Sequence, residues 1–203
     1  MEILQVLEFI AVVSGIAHVF LLTREKISAW PFGLLTVSLY IYIFADAKLY
    51  SDVLLHIIYV ALNIYGWWNW SRRRSTTARH IPITRLGPWE AGGWAVGIVL
   101  GALLWGRFMA ANTGADFPYA DAFTTVASLS AQFLLARKKL DNWIIWIIVD
   151  VVAMGVYSLK GLHLTTLLYG VYLLLSIKGW LAWREGMARE ADARERRSAK
   201  QMY

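Results

Sequence analysis

Cysteine is absent from the 203-residue chain. That excludes disulfides, metal–thiolate sites and thiol chemistry. Charge is scarce: Asp, Glu, Lys and Arg form 17% of the residues, where a soluble domain carries roughly 25%. Proline is scarce too, at four residues, so little interrupts long helices. Among only four histidines no HExxH occurs, and no GxSxG or paired glutamates appear. These absences argue against an intramembrane hydrolase. A phosphate-binding glycine loop is also missing, so no ATP-driven step is written into the sequence. The first six residues have no basic start, and no small-residue cleavage motif follows. The first apolar run is therefore expected to persist as a helix.

What is present is apolar. Hydrophobic residues make up 58% of the chain, with eleven Trp and ten Tyr. These rings favour membrane–water interfaces, and the balance reads as an integral membrane protein. A net charge of +6 could suggest nucleic acid, but the basic residues lie in short loops between apolar runs, so nucleic acid is excluded as a partner. Seven runs are long enough to cross a bilayer as helices: 4–22, 30–47, 49–70, 89–111, 120–135, 143–159 and 162–183. They are continuous rather than alternating, which favours helices over a β-barrel. The expected fold is an all-α protein of seven transmembrane helices.

Orientation follows from Lys and Arg. One side receives Arg24, Lys26, Arg72–Arg74, Arg79, Arg85, Arg137–Lys139 and six basic residues between Arg184 and Lys200. The other receives Lys48, Lys160 and Arg107. The basic side is expected to be cytoplasmic, with the N-terminus outside and the C-terminus inside. The tail, 185–203, mixes both charges without an apolar face and reads as a solvated, partly helical end.

The chain also overlays on itself. Shifted by 113 residues, positions 8–70 align with 121–183 without a gap, and about one position in four is identical. Arg24 meets Arg137, Lys26 meets Lys139, Trp30 meets Trp143, Gly66 meets Gly179, and Trp70 meets Trp183. Shared apolar composition explains some matches, but not the Arg, Lys, Gly and Trp coincidences. Three helices (1–70) form one unit, a basic loop and one helix (71–119) link, and three helices (120–184) repeat the unit. A shift of four helices makes the units parallel, a 3+1+3 plan like that of SWEET-type transporters, whose substrate site lies near the midplane between repeats.

Polar residues interrupt the runs in stripes. Trp143, Trp146, Asp150 and Tyr157 share one helix face, as do Thr165, Tyr169, Tyr172 and Ser176. Asp52, His56, Tyr59 and Asn63 repeat the latter spacing, and Thr125, Ser128 and Gln132 add a fourth stripe. Converging, they would line a polar, aromatic cavity. Packing is the competing reading for the tyrosines, and helix contact for Ser128 and Ser176. His56 could be a satisfied bundle residue, and Asp52 a solvated cap. Asp150 is different, because a carboxylate at mid-helix costs about 2.5–3.5 kcal/mol on insertion scales and such residues mark sites or pathways. Pairing with Gln132 is the bland alternative. A cationic aromatic ligand with hydroxyls would satisfy both the carboxylate and the rings. A phosphorylated one would not, since no Arg or Lys lies at that depth.

The blocks "AQFLLARKKLDNWIIWIIVD", "LYSD" and "YGWWNW" resemble the PnuC family of bacterial vitamin transporters, most of all its nicotinamide riboside branch, from about residue 12 to 183. The resemblance implies facilitated diffusion of the unphosphorylated vitamin across the inner membrane and trapping by a cytoplasmic riboside kinase. It points to Gln132, Trp143, Trp146, Asp150, Tyr157 and Tyr169, with Asn63 and Trp67 in the first unit. His56 joins them from its stripe. No cofactor, metal or enzymatic activity is expected. The expected partners are the substrate, the bilayer and that kinase, with homo-oligomerisation open. The chain departs from the family at His56, His163 and Met154–Gly155, which leaves the exact vitamin open; thiamine, another aromatic cation, is the alternative. A seven-helix retinal photoreceptor would also carry a Lys in its last helix and a buried Asp. The tandem repeat and the shallow Lys178 argue against it.

Overall fold

A computed structural model describes residues 2–48, 50–72 and 82–201. Each of the seven apolar runs is one helix: α1 (Glu2–Thr23), α2 (Ala29–Asp46), α3 (Tyr50–Arg72), α4 (Pro88–Asn112), α5 (Pro118–Ala136), α6 (Asn142–Leu159) and α7 (His163–Gln201). Arg73, Arg74 and Arg79 of the basic loop lie outside the described residues. By length and composition five of these helices can cross a membrane: α1, α2, α4, α6 and α7. Asp52, His56 and Asn63 lower the hydropathy of α3, and a run of Thr, Ser and Gln side chains lowers that of α5. Prolines open α4 and α5, where the missing N–H is not needed. Glu90 accepts from the Gly87 N–H at 3.1 Å and caps α4.

The helix bounds recur 113 residues apart. α1 ends at Thr23 and α5 at Ala136; α2 and α6 span Ala29–Asp46 and Asn142–Leu159; α3 and α7 begin at Tyr50 and His163. The turns recur too. Positive φ occurs at Glu25 (54°) and Lys138 (55°), and at Lys48 (59°) and Gly161 (72°). Three of these are not glycine, so the left-handed conformation costs about 1–2 kcal/mol each. Local hydrogen bonds hold it: Lys26 N–H donates to Leu21 O at 3.0 Å, and Lys139 N–H to Leu134 O at 2.9 Å. Both are the six-to-one bond that closes a Schellman cap.

Packing follows the same spacing. α1 packs on α2 and α2 on α3; α5 packs on α6 and α6 on α7. Two further pairs join these groups, α1 with α7 and α3 with α5. Among the described residues α4 packs on α5 alone. The largest core lies at the loop-rich end that carries Glu25 and Lys138. Trp30 rests on Gly66 and meets Trp70 edge-on at 5.2 Å. Trp143 rests on Gly179 and meets Trp183 edge-on at 5.5 Å. The Trp70 Nε1–H donates to Ala136 O at 3.1 Å, and the Trp183 Nε1–H to Leu22 O at 3.0 Å. Lys138 Nζ donates to Glu25 Oε2, which joins the two left-handed turns directly.

A strap before α4 closes this end. Thr84 N–H donates to Lys138 O at 3.2 Å, Leu140 N–H to Thr84 O at 2.9 Å, and Leu86 N–H to Asp141 Oδ2 at 2.7 Å. The tail is more ordered than expected: α7 continues to Gln201, and its first turns are docked. Gly186 approaches Glu25 and Ile83, and Met187 packs on the core. A charge pattern without an apolar stripe hid this, because the contact uses a glycine and one methionine.

Alanine at 66 or 179 would drive a methyl into a tryptophan ring; at Gly179 the nearest ring atom would be 2.6 Å away. Nothing lies within 4 Å of the corresponding point at Gly155. Gly66→Ala and Gly179→Ala are therefore expected to destabilise by about 1–3 kcal/mol, read as lower melting temperatures in detergent. Gly155→Ala is expected to melt no earlier than the parent; equal melting of all three variants would contradict this packing.

Candidate functional site

α6 is apolar on most of its surface and buries one charged group at its middle. Asp150 is 2% exposed. Its partner is not Gln132, the pairing that the sequence left open, but Ser176 on α7. The Ser176 hydroxyl donates to Asp150 Oδ2 at 3.0 Å. The other oxygen, Oδ1, takes no hydrogen bond among the described residues. Trp146 precedes Asp150 by four residues, which places it one turn away on α6. It packs half-buried against both apolar clusters of the molecule. Gln132 is buried on α5.

Aromatic pairs stand towards the other ends of the same helices. Tyr157 and Tyr169 stack with centroids 5.3 Å apart, and Tyr169 meets Tyr172 edge-on at 6.1 Å. The matching positions in the first group hold Phe44 and His56, 5.0 Å apart, with Tyr59 at 5.8 Å from His56. His56 Nδ1 lies 2.8 Å from Asp52 O, so in the neutral ring the proton sits on Nδ1 and Nε2 is an open acceptor. Tyr59 reaches across and donates to Ser128 Oγ on α5 at 2.6 Å. Tyr172 approaches α1 at Gly15, where an added methyl would meet its hydroxyl at 2.6 Å.

Other expected residues lie elsewhere. Trp143 is 1% exposed inside the tryptophan core, two turns along α6 from Asp150, and its Nε1–H has no partner among the described residues. Trp67 is 39% exposed. Asn63 is buried: its amide donates to Tyr59 O at 2.8 Å, its Oδ1 has no partner among the described residues, and it presses on Gly33. His18 was missed. Its Nδ1 lies 2.7 Å from Ala29 O, and its ring meets Trp30 edge-on at 6.0 Å. The only signal was one imidazole within the first apolar run. Lys178 lies over the Phe20 ring at 5.2 Å and is exposed, a poor place for a Schiff base with Asp150 as counter-ion.

The salt bridges of the described residues lie outside the middle of the helices. They join Lys138 to Glu25, Lys139 to Glu90, Arg85 to Asp141, Lys160 to Asp121 and Arg189 to Glu185. None reaches Asp150. The arrangement offers one carboxylate oxygen, several π faces and neutral hydroxyl and amide groups. That set suits a cation with hydroxyls, not an anion.

Residues 5–185 match the family described as "Nicotinamide mononucleotide transporter". The chain is 28% identical over 212 residues to "Nicotinamide riboside transporter PnuC" of Escherichia coli (strain K12), a match that covers 93% of this chain and 88% of that protein. It is 27% identical over 131 residues to "Riboflavin/roseoflavin transporter RibM" of Streptomyces davaonensis, covering 62% of this chain and 60% of that one. The solved structure described as "Crystal structure of the Vitamin B3 transporter PnuC" aligns with a TM-score of 0.73 at 27% identity, over 90% of this chain and 82% of that chain.

The position of Trp143 gives a prediction. Trp143→Phe keeps an aromatic ring but leaves a gap over Gly179. It is expected to lower the melting temperature while changing affinity for the ligand of the PnuC relatives by less than about threefold. An unchanged melting temperature with a tenfold loss of affinity would instead make Trp143 a ligand contact.

Proposed function

Because the chain belongs to the nicotinamide mononucleotide transporter family, we propose that it carries the unphosphorylated nicotinamide riboside across the bacterial inner membrane by facilitated diffusion. The observation that carries this reading is Asp150: a buried carboxylate with one oxygen uncommitted, beside aromatic rings and away from every cation that pairs in the described residues. The carboxylate balances the pyridinium charge and accepts from ribose hydroxyls. Trp146, Tyr157 and Tyr169 supply π faces, each worth about 0.5–2 kcal/mol against a cation. Gln132, Asn63 and His56 supply polar contacts from the other helices, and Trp143 and Trp67 stand towards the loop-rich end. A phosphate dianion would find no Arg or Lys beside Asp150. The riboside named for the PnuC relatives therefore fits better than the mononucleotide of the family description.

The moving parts in this reading are two parallel three-helix units, α1–α3 and α5–α7, with α4 as the link between them. Supporting it are the helix bounds, left-handed turns and pair contacts that recur at one spacing. Among the described residues α4 packs only on α5, which supports its travelling with the second unit. The basic loops support an orientation with the N-terminus outside and the C-terminus in the cytoplasm, where in this reading a riboside kinase traps the riboside.

Asp150→Asn keeps the shape and removes the charge. It is expected to lower affinity for nicotinamide riboside by about 1.5–3 kcal/mol, roughly ten- to hundredfold, with an unchanged gel-filtration peak. The mononucleotide is expected to bind the parent protein more weakly than the riboside. Calorimetry with riboside, mononucleotide, thiamine and riboflavin decides among ligands. Tighter binding of thiamine or riboflavin would move the chain to another vitamin, and mononucleotide binding as tight as the riboside's would remove the charge argument.

Transport itself is expected to be passive. Liposomes holding the purified protein and no kinase should fill with labelled riboside to the outside concentration and stop there. Accumulation beyond that level under an imposed proton or sodium gradient would contradict facilitated diffusion.

A further inference from the structure

Ser176 and Asp150 face each other across the contact between α6 and α7. Both side chains are buried, 3% and 2% exposed, and the 3.0 Å hydrogen bond from Ser176 is the only one the carboxylate receives among the described residues. A carboxyl group turns about its last bond with a broad, soft preference. Anchoring Oδ2 therefore sets the direction in which Oδ1 points.

The other three-helix group supplies an internal control. The positions 113 residues earlier hold Val37 and Asn63. Asn63 is longer: its amide bonds back to its own helix at Tyr59 O, and its Oδ1 reaches Gly33 on α2. By the same offset an amide at 176 would bond back to Tyr172 and point at Trp146, the counterpart of Gly33, rather than donate to Asp150. The carboxylate and the short hydroxyl thus occur together in one group and are absent together from the other. A serine kept only for close helix contact would not need to follow the identity of the residue facing it.

We infer that Ser176 is a positioning residue for the ligand: it orients the Asp150 carboxylate and leaves Oδ1 free to accept from the substrate. This rests on the reading that Asp150 binds nicotinamide riboside. The test is a double-mutant cycle, with riboside affinity measured by calorimetry. Ser176→Ala is expected to weaken binding about ten- to hundredfold, the range for a lost hydrogen bond to a charged group. Ser176→Thr, which restores the hydroxyl, is expected to bind within about threefold of the parent. In the Asp150→Asn background, Ser176→Ala is expected to change affinity by less than about twofold.

Parent-like binding by Ser176→Ala overturns the inference. So does an equal loss in both backgrounds, which would make Ser176 a packing residue or a direct contact while leaving Asp150 in its role. Unchanged affinity in Asp150→Asn alone overturns the site reading, and this inference falls with it. If Ser176→Ala does not give a single gel-filtration peak, Ser176→Cys, near in size and a weaker donor, replaces it with the same expected loss.

Discussion

Two backbone carbonyls, Leu22 O and Ala136 O, stand at the ends of α1 and α5, where the intrahelical ladder runs out. In a membrane an unpaired carbonyl is costly, about 1–3 kcal/mol for a buried acceptor and more in hydrocarbon. Each takes an indole N–H from the other group of helices, Trp183 to Leu22 and Trp70 to Ala136, beside a second donor: the Glu25 N–H at 3.0 Å on Leu22 O and the Asn69 amide at 2.8 Å on Ala136 O. That exchange sets much of what surrounds it. The tryptophans reach only if α7 lies along α1 and α3 along α5, as they do. Trp30 and Trp143 then fill the space behind them, and position 66 or 179 can carry no side chain. The turns after α1 and α5 close through left-handed residues, which brings Glu25 and Lys138 face to face.

The frame recurs; the chemistry does not. Where the first group has His18 lying against Gly33, the equivalent positions of the second hold Ala131 and Trp146. The large side chain comes from α1 in one case and from α6 in the other, so the volume is kept while its source changes. Where the first has Val37 and Asn63, the second has Asp150 and Ser176. The hydrogen-bonded carboxylate therefore belongs to one group alone. A pair of identical groups would present two carboxylates to one ligand, and two like charges in a low-dielectric interior repel strongly. Divergence of one group leaves a single negative charge, which suits a monocation.

Much of the frame was legible before any coordinates. Hydropathy gave six helices and the start of the seventh to within a few residues, because a spanning run must satisfy every backbone group internally; it missed the end of α7, which runs on through the charged tail to Gln201. The 113-residue offset read from Arg24, Trp30 and Gly66 matches the helix bounds. Asp150 was legible because a charge in an apolar run has few explanations. Its partner was not. A helical wheel gives the face of a residue but not the depth or rotation of the neighbouring helix, so Gln132 was the partner the sequence suggested and Ser176 was read as a helix contact. Trp143 shares a face with Asp150 and yet lies in the core, because a face two turns long passes through two environments. His18 was hidden for the opposite reason, since one polar atom pair in a long apolar run barely moves its average.

The ties between the two groups have a direction. Trp70 to Ala136, Trp183 to Leu22 and Lys138 to Glu25 all lie at the loop-rich end, together with the largest core and the strap at Thr84. At other levels the groups meet through lighter contacts, such as Tyr59 with Ser128 and Tyr172 with Gly15. Any rearrangement that parts the groups at the loop-rich end must first break both indole–carbonyl bonds. The Asn69 amide, which donates to the same Ala136 O at 2.8 Å, adds a third such bond; at a net 0.5–1.5 kcal/mol each they hold the parted state about 1.5–4.5 kcal/mol higher, and separation would also expose part of the tryptophan core. The Lys138–Glu25 pair adds to this only if its charges stay dry once separated, because water entering the gap would rehydrate both. The loop-rich end is thus the more firmly tied, and the lighter contacts at Tyr59 and Tyr172 leave the groups freer to part at the other levels.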